Sequence, residues 1–190
     1  MSAARPVLFG KLPSHGDFVA RNLDPAAREA LDGWASAGLE RARETLGEAF
    51  EAAHDSAPPW RFVSGPGPLG PLWRAGAAAP SIDTAGRRFV IVLAVDALAP
   101  GEAAGGGEAI AEAMEGLIYG AFERGLGADA VSAEAAAMLE RDKLVKPDQA
   151  APQERWWTLG GPEHAPKALG PDAGDVFLQM LQPDAAGAAV

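Results

Sequence analysis

Two short polar stretches hold the side chains best suited to chemistry. The first, Lys11-Leu12-Pro13-Ser14-His15-Gly16-Asp17-Phe18-Val19, places one serine, one histidine and one acid within four residues. These are the types of a hydrolytic triad, but triad partners normally come from separate elements so that their side chains can converge. The stretch also lacks a Gly-x-Ser-x-Gly elbow and the Gly-Lys-Ser/Thr ending of a phosphate loop. A structural turn is the stronger expectation. The second stretch, Pro80-Ser81-Ile82-Asp83-Thr84-Ala85-Gly86-Arg87-Arg88, leads into the apolar run Phe89–Val95. Arginine captures phosphate or carboxylate with two parallel hydrogen bonds, and histidine titrates near neutrality. Convergence of Asp83, Arg87 and His15 in a concave pocket would therefore indicate an enzyme or a small-ligand site. The alternative is local: Asp83 accepts backbone N–H groups in its own turn while Arg87 pairs with Asp17 or Asp83.

Several function classes are excluded or disfavoured. The chain has no cysteine, which removes disulfides, thiol catalysis and thiolate metal sites. Its histidines, at positions 15, 54 and 164, have no metal-ligand spacing. No apolar run approaches the roughly 20 residues needed to span a bilayer, and no secretory h-region follows Met1. We therefore expect a cytoplasmic protein with no catalytic residue, cofactor, metal or membrane insertion. Residues 1–95 carry ten basic and ten acidic side chains, whereas residues 96–190 carry six and sixteen. An acidic second half repels nucleic acid; it serves either as solubilising helix faces or as a dock for a basic protein.

The elements that must position the two stretches follow from periodicity and breakers. Pro6–Phe9 reads as a strand broken at Gly10. Asp24-Pro25 starts a helix, and apolar residues at helical spacing carry it as one amphipathic element to near His54, a solvated end residue. Trp60–Val63 and Leu72–Gly76 read as strands around the Gly65–Pro71 loop. Phe89–Val95, uninterrupted and rich in β-branched residues, reads as the central strand, covered on both faces. Asp96–Gly107 reads as a flexible connection, with helices from Glu108 and from Ser132. Arg155–Leu159 is a strand whose tryptophans belong to the core. Val176–Leu181 is a helix started by Asp172 or Asp175. Residues 1–182 form a single domain, and the tail 183–190 is expected to be disordered.

Four segments together resemble the TagF (ImpM) proteins of type VI secretion systems: Gly10–Phe18, Pro58–Phe62, Pro80–Phe89, and Trp156-Trp157-Thr158 with a glycine shortly after. The resemblance implies an α/β fold, a three-layer α/β/α sandwich with a mixed, largely antiparallel central sheet. It also implies a cytoplasmic accessory protein, acting in some systems as a post-translational repressor linked to a forkhead-associated scaffold protein and to a threonine kinase and phosphatase pathway. His15 stands where the family usually has arginine, and Val90 where proline commonly follows the phenylalanine. The acidic metal-binding pattern of the phosphatase domain found in some relatives is absent. On this reading the chain is a non-enzymatic regulator whose partner-binding residues are Lys11, Ser14, His15, Asp17, Arg61, Ser81, Asp83, Arg87 and Arg88. An exposed Trp60, Trp73 or Trp157 would supply the aromatic anchor of the interface.

Overall fold

Strand alternation and backbone hydrogen bonding frame the molecule. A computed structural model describes residues 4–162, 164–170 and 175–182. The elements are β1 (Arg5–Gly10), β2 (Val19–Arg21), α1 (Pro25–Leu46), a 3-10 turn (Gly47–Ala49), α2 (Phe50–Ser56), β3 (Trp60–Ser64), β4 (Trp73–Ile82), β5 (Arg88–Leu98), α3 (Pro100–Arg124), α4 (Ala128–Asp142), β6 (Arg155–Thr158), β7 (Lys167–Leu169) and α5 (Val176–Leu181). The strands form one seven-stranded sheet in the order β2-β1-β5-β4-β3-β6-β7. Every pairing is antiparallel, so the expected mixed sheet is corrected to an antiparallel one. No two neighbouring strands here run in the same direction, which a helical crossover would have required.

The Phe89–Val95 run is buried on both sides, as its composition required. Ile91, Leu93 and Val95 join a cluster with Ile110, Met114, Leu117 and Ile118 of α3 and with α4. The intervening Val90, Val92 and Ala94 join a second cluster with Leu31, Ala35 and Leu39 of α1, with Phe50, and with Phe177 and Met180 of α5. A strand with no wet face needs no polar alternation. Trp156 and Trp157 are core residues, the former stacked on Trp34 with ring centroids 5.5 Å apart.

Elsewhere packing overrode the local reading. The helix expected to continue to His54 ends at Leu46, because Gly47 takes the left-handed φ of +54°; a 3-10 turn then leads into α2. Ser132 lies inside α4, which begins after Gly127. The strand expected over Leu72–Gly76 begins at Trp73 and continues through the first part of the second polar stretch as one ten-residue strand, β4. Asp96–Gly107 is no flexible connection. Asp96 lies in β5, buried, because the Arg74 Nε donates to its Oδ1 at 3.0 Å, and Gly105-Gly106-Gly107 lie within α3. Gly105 and Gly106 admit a crossing chain, a Cβ on Gly106 lying 2.3 Å from the Leu144 carbonyl oxygen, while Gly107 admits Val63 of β3. Asp175 caps α5, its side chain accepting the Leu178 N–H at 3.2 Å; Asp172 and the tail 183–190 lie outside the described residues. No described helix is long and apolar enough to cross a membrane.

Two glycines of α3 should therefore respond oppositely to the same substitution. Gly106→Ala is expected to destabilise by about 1–3 kcal/mol through overpacking against Leu144. Gly116→Ala, with open space at its Cβ, is expected to stabilise by about 0.5–1 kcal/mol through reduced backbone entropy loss. Urea denaturation of the two variants checks both signs.

Candidate loop-pair surface

The two polar stretches meet at one end of the sheet. After Gly10, the Lys11 N–H donates to the Val90 carbonyl at 3.0 Å and the Ser81 hydroxyl to the Lys11 carbonyl at 2.8 Å. The first stretch is thereby laid across the start of β5 and the end of β4. The β4–β5 hairpin closes through a three-residue loop: the Asp83 N–H donates to Arg87 O (3.3 Å), the Gly86 N–H to Asp83 O (2.9 Å), and Gly86 takes φ +75°. A type I turn followed by a left-handed residue is a common solution for this loop length, and glycine suits its last position.

Asp83 is the shared centre. Its buried carboxylate accepts four donors: Oδ1 from the Ala85 and Arg87 N–H groups, both at 2.9 Å, and Oδ2 from Lys11 Nζ at 2.8 Å and Arg87 Nε at 2.7 Å. The Lys11 hydrogen bond holds its pKa well below the usual carboxylate range; burial opposes this, and the backbone and side chain of Arg87 add to the lowering. Two further bonds join the loops directly, from the Thr84 N–H to His15 O at 3.0 Å and from Arg87 Nη2 to Gly16 O at 2.6 Å. The local reading of Asp83 and Arg87 is thus the arrangement found, with Lys11 as an additional partner.

The expected site residues separate into three groups. Lys11, Ser81 and Asp83 are buried and form the joint between the loops. Ser14, Asp17 and Arg87 are exposed on the loop pair, with Arg87 Nη2 3.9 Å from Asp17 Oδ1. Arg61 and Arg88 are engaged elsewhere. Arg61 lies on β3, ion-paired with Glu115 of α3 and 3.8 Å from Glu112. Arg88 forks onto Asp55 of α2 at 2.8 and 2.7 Å and holds that carboxyl down to about 2.

His15 does not converge with Asp83 and Arg87. A Cβ on Gly127, just before α4, would lie 3.4 Å from the His15 ring, and Nδ1 is 3.0 Å from the Ser14 hydroxyl. That hydroxyl donates its hydrogen to Leu126 O at 2.8 Å, leaving its oxygen to accept from the histidine. The groove beside Arg87, about 900 Å³, is lined by Lys11, Arg43, Arg88 and Phe89 among others, and by neither His15 nor Asp83. Among the described residues no group of three His, Asp or Glu side chains could hold a metal ion. Val90 is buried within β5.

Two residues of this region escaped the sequence reading. Phe18 is 46% exposed, yet its ring meets the Phe89 ring edge-on at a centroid distance of 4.7 Å, with Lys11 Nζ 5.1 Å from its centre. It is the exposed aromatic of the loop pair; Trp60 and Trp157, named as possible anchors, are buried and Trp73 is partly so. Only its place between a turn and a three-residue strand marked it, and a strand that short shows no period. His54, expected to be solvated, is buried, with Nε2 donating to Phe89 O at 2.6 Å and Nδ1 3.2 Å from Asp55 Oδ1. Packing of α2 on the start of β5 buries it.

A carboxyl whose folded pKa is depressed contributes stability that is complete above its unfolded value, about 3.9, and is lost as pH falls through the folded value. Stability should therefore decline as pH drops below about 4. Asp83→Asn should lower stability at pH 7, because buried Lys11 loses its counter-charge, and should flatten part of the acid decline. Adding Lys11→Met should recover part of the loss at pH 7. Urea midpoints at pH 7 and at about pH 2.5 for the wild type and both variants check this.

Residues 7–138 match the family model described as the TagF N-terminal domain, type VI secretion system-associated. No curated protein matches the sequence. A solved structure, described as the crystal structure of PA0076 from Pseudomonas aeruginosa PAO1, matches with a TM-score of 0.73 and 24% identity, covering 93% of this chain and 94% of that one. At that identity the likeness concerns the fold. The family match includes both polar stretches and the Asp83 joint, and it spans most of the sequence; the chain belongs to the TagF family of type VI secretion-associated proteins.

Proposed function

We propose that this chain is a non-enzymatic accessory regulator of a type VI secretion system, a post-translational repressor that works in the cytoplasm by binding a forkhead-associated scaffold protein. The observation that supports the reading is the hydrogen-bonded pair of loops, on which Phe18, Ser14, Asp17 and Arg87 are exposed. Aromatic and arginine side chains anchor interfaces when water is excluded around them. Here the Phe18 ring is already seated on Phe89, and Arg87 is already tied to Asp83 and Gly16. Side chains ordered before contact lose less entropy on binding. We read residues 1–182 as one domain and the two apolar clusters as the inner faces of outer helical layers in an α/β/α sandwich.

Titration calorimetry of the purified chain against the forkhead-associated scaffold of its own secretion system tests this reading. Phe18→Ala should weaken binding by about 30-fold, the loss expected for an anchor worth roughly 2 kcal/mol. Asp17→Arg should change the affinity and its salt dependence, whereas Glu44→Arg on exposed α1 should not. Wild-type affinity for both loop variants would place the contact elsewhere, and no binding by the wild-type chain would remove the scaffold as its partner.

A further inference from the structure

β4 extends beyond the strand beside it. β3 begins at Trp60, which pairs with Ala78, so Ala79–Ile82 has β5 on one side and no strand on the other. The hairpin closure shows which backbone groups face the open side. Asp83 donates its N–H to Arg87 O, and successive residues of an antiparallel strand alternate in direction. Ser81 and Ala79 therefore turn toward β5, while Pro80 and Ile82 turn away. The Pro80 carbonyl and the N–H and carbonyl of Ile82 face the slot where β3 would continue, and none of them bonds to another described residue.

That slot is a groove of about 490 Å³. It is lined by Ile118, Tyr119 and Phe122 of α3, by the end of α2 with Pro58 and Pro59, and by Gly160–Pro162. Tyr119 is 49% exposed and Ile82 38%. The titratable lining groups besides Tyr119 are His54, whose Nε2 donates to Phe89 O, and Asp55, which Arg88 occupies. In a chain of net charge -10 this is a weakly charged, largely apolar trough.

The floor and the lining identify what fits. A helix satisfies its own backbone and would leave the three floor groups unpaired. An extended chain at normal strand spacing pairs with them and sends alternate side chains to opposite sides. Charged side chains would be desolvated there, and the lining carboxylate, Asp55, is already forked by Arg88. We propose that the groove takes an extended, uncharged segment of a partner protein, which adds to β4 at Pro80–Ile82 as a short strand in line with β3. Pro80 has no N–H to give, so the pairing is limited to three backbone groups, which restricts the contact and discourages indiscriminate edge pairing. The groove shares none of Ser14, Asp17, Phe18 and Arg87, and the inference does not depend on the loop pair being an interface.

Selection of a phage-displayed library of random octapeptides on the full chain tests the proposal. Enriched peptides should be uncharged in their central positions. As fluorescent synthetic peptides they should bind the chain in an anisotropy titration and lose about tenfold in affinity when alternate backbone amides are methylated, roughly one net hydrogen bond. Ile82→Pro removes an N–H that faces away from β5 and should cause a similar loss with an unchanged thermal midpoint. Should that variant not fold, the methylated peptides on the wild-type chain give the same answer. No enrichment, enrichment of charged or helix-periodic sequences, or equal binding of methylated and unmethylated peptides would overturn the proposal.

Discussion

The buried Asp83 carboxylate is the constraint on which this end of the molecule depends. An ionised carboxylate removed from water is tolerated only when its oxygens are fully paired. Four donors from two distant stretches of chain meet that demand: Lys11 from the segment after β1, and Ala85 and Arg87 from the hairpin turn. The charge makes the joint specific, because only a particular placement of both loops satisfies it. It also holds the exposed Arg87 in place, its Nε donating to Asp83 and its Nη2 to Gly16 O.

The sheet behind the joint is built to be unyielding. β5 is covered on both faces, so neither Val90 nor Ile91 can move without disturbing a core. Small residues let the layers close up. Alanines dominate the middle of β4, and Gly101, Gly105 and Gly106 of α3 admit the 144–148 segment at backbone distance, tied by the Asp148 N–H to Gly101 O at 2.8 Å. Packing at this density transmits strain rather than absorbing it.

Part of the acidic surplus of the second half is taken up by arginines of the first. Arg21 meets Asp129, Arg41 meets Asp175, Arg61 meets Glu115, and Arg74 meets Asp96. The charge asymmetry along the sequence is thus in part a record of contacts between the two halves. Exposed members of this set add little each; the buried Arg74–Asp96 pair is what allows an acid to occupy a core strand.

The sequence by itself determined the central strand, the N-cap at Asp24, the core role of Trp156 and Trp157, and the family. Each is written in local signals: an unbroken β-branched run, a carboxylate before proline, paired aromatics in a strand, motifs in order. It also held the alternative that Asp83 and Arg87 serve their own turn, because an Asp-x-x-Gly turn carries its hydrogen-bonding logic in four neighbouring residues. Only the tertiary structure decided that Lys11 completes that turn, that Arg61 pairs with Glu115 of α3, that Phe18 rather than a tryptophan is the exposed aromatic of the loop pair, and that Gly105–Gly107 sit in a helix. These depend on groups 70 residues apart or on a chain crossing overhead. A glycine chosen for closeness looks the same in sequence as one chosen for freedom, and only the neighbouring backbone tells them apart.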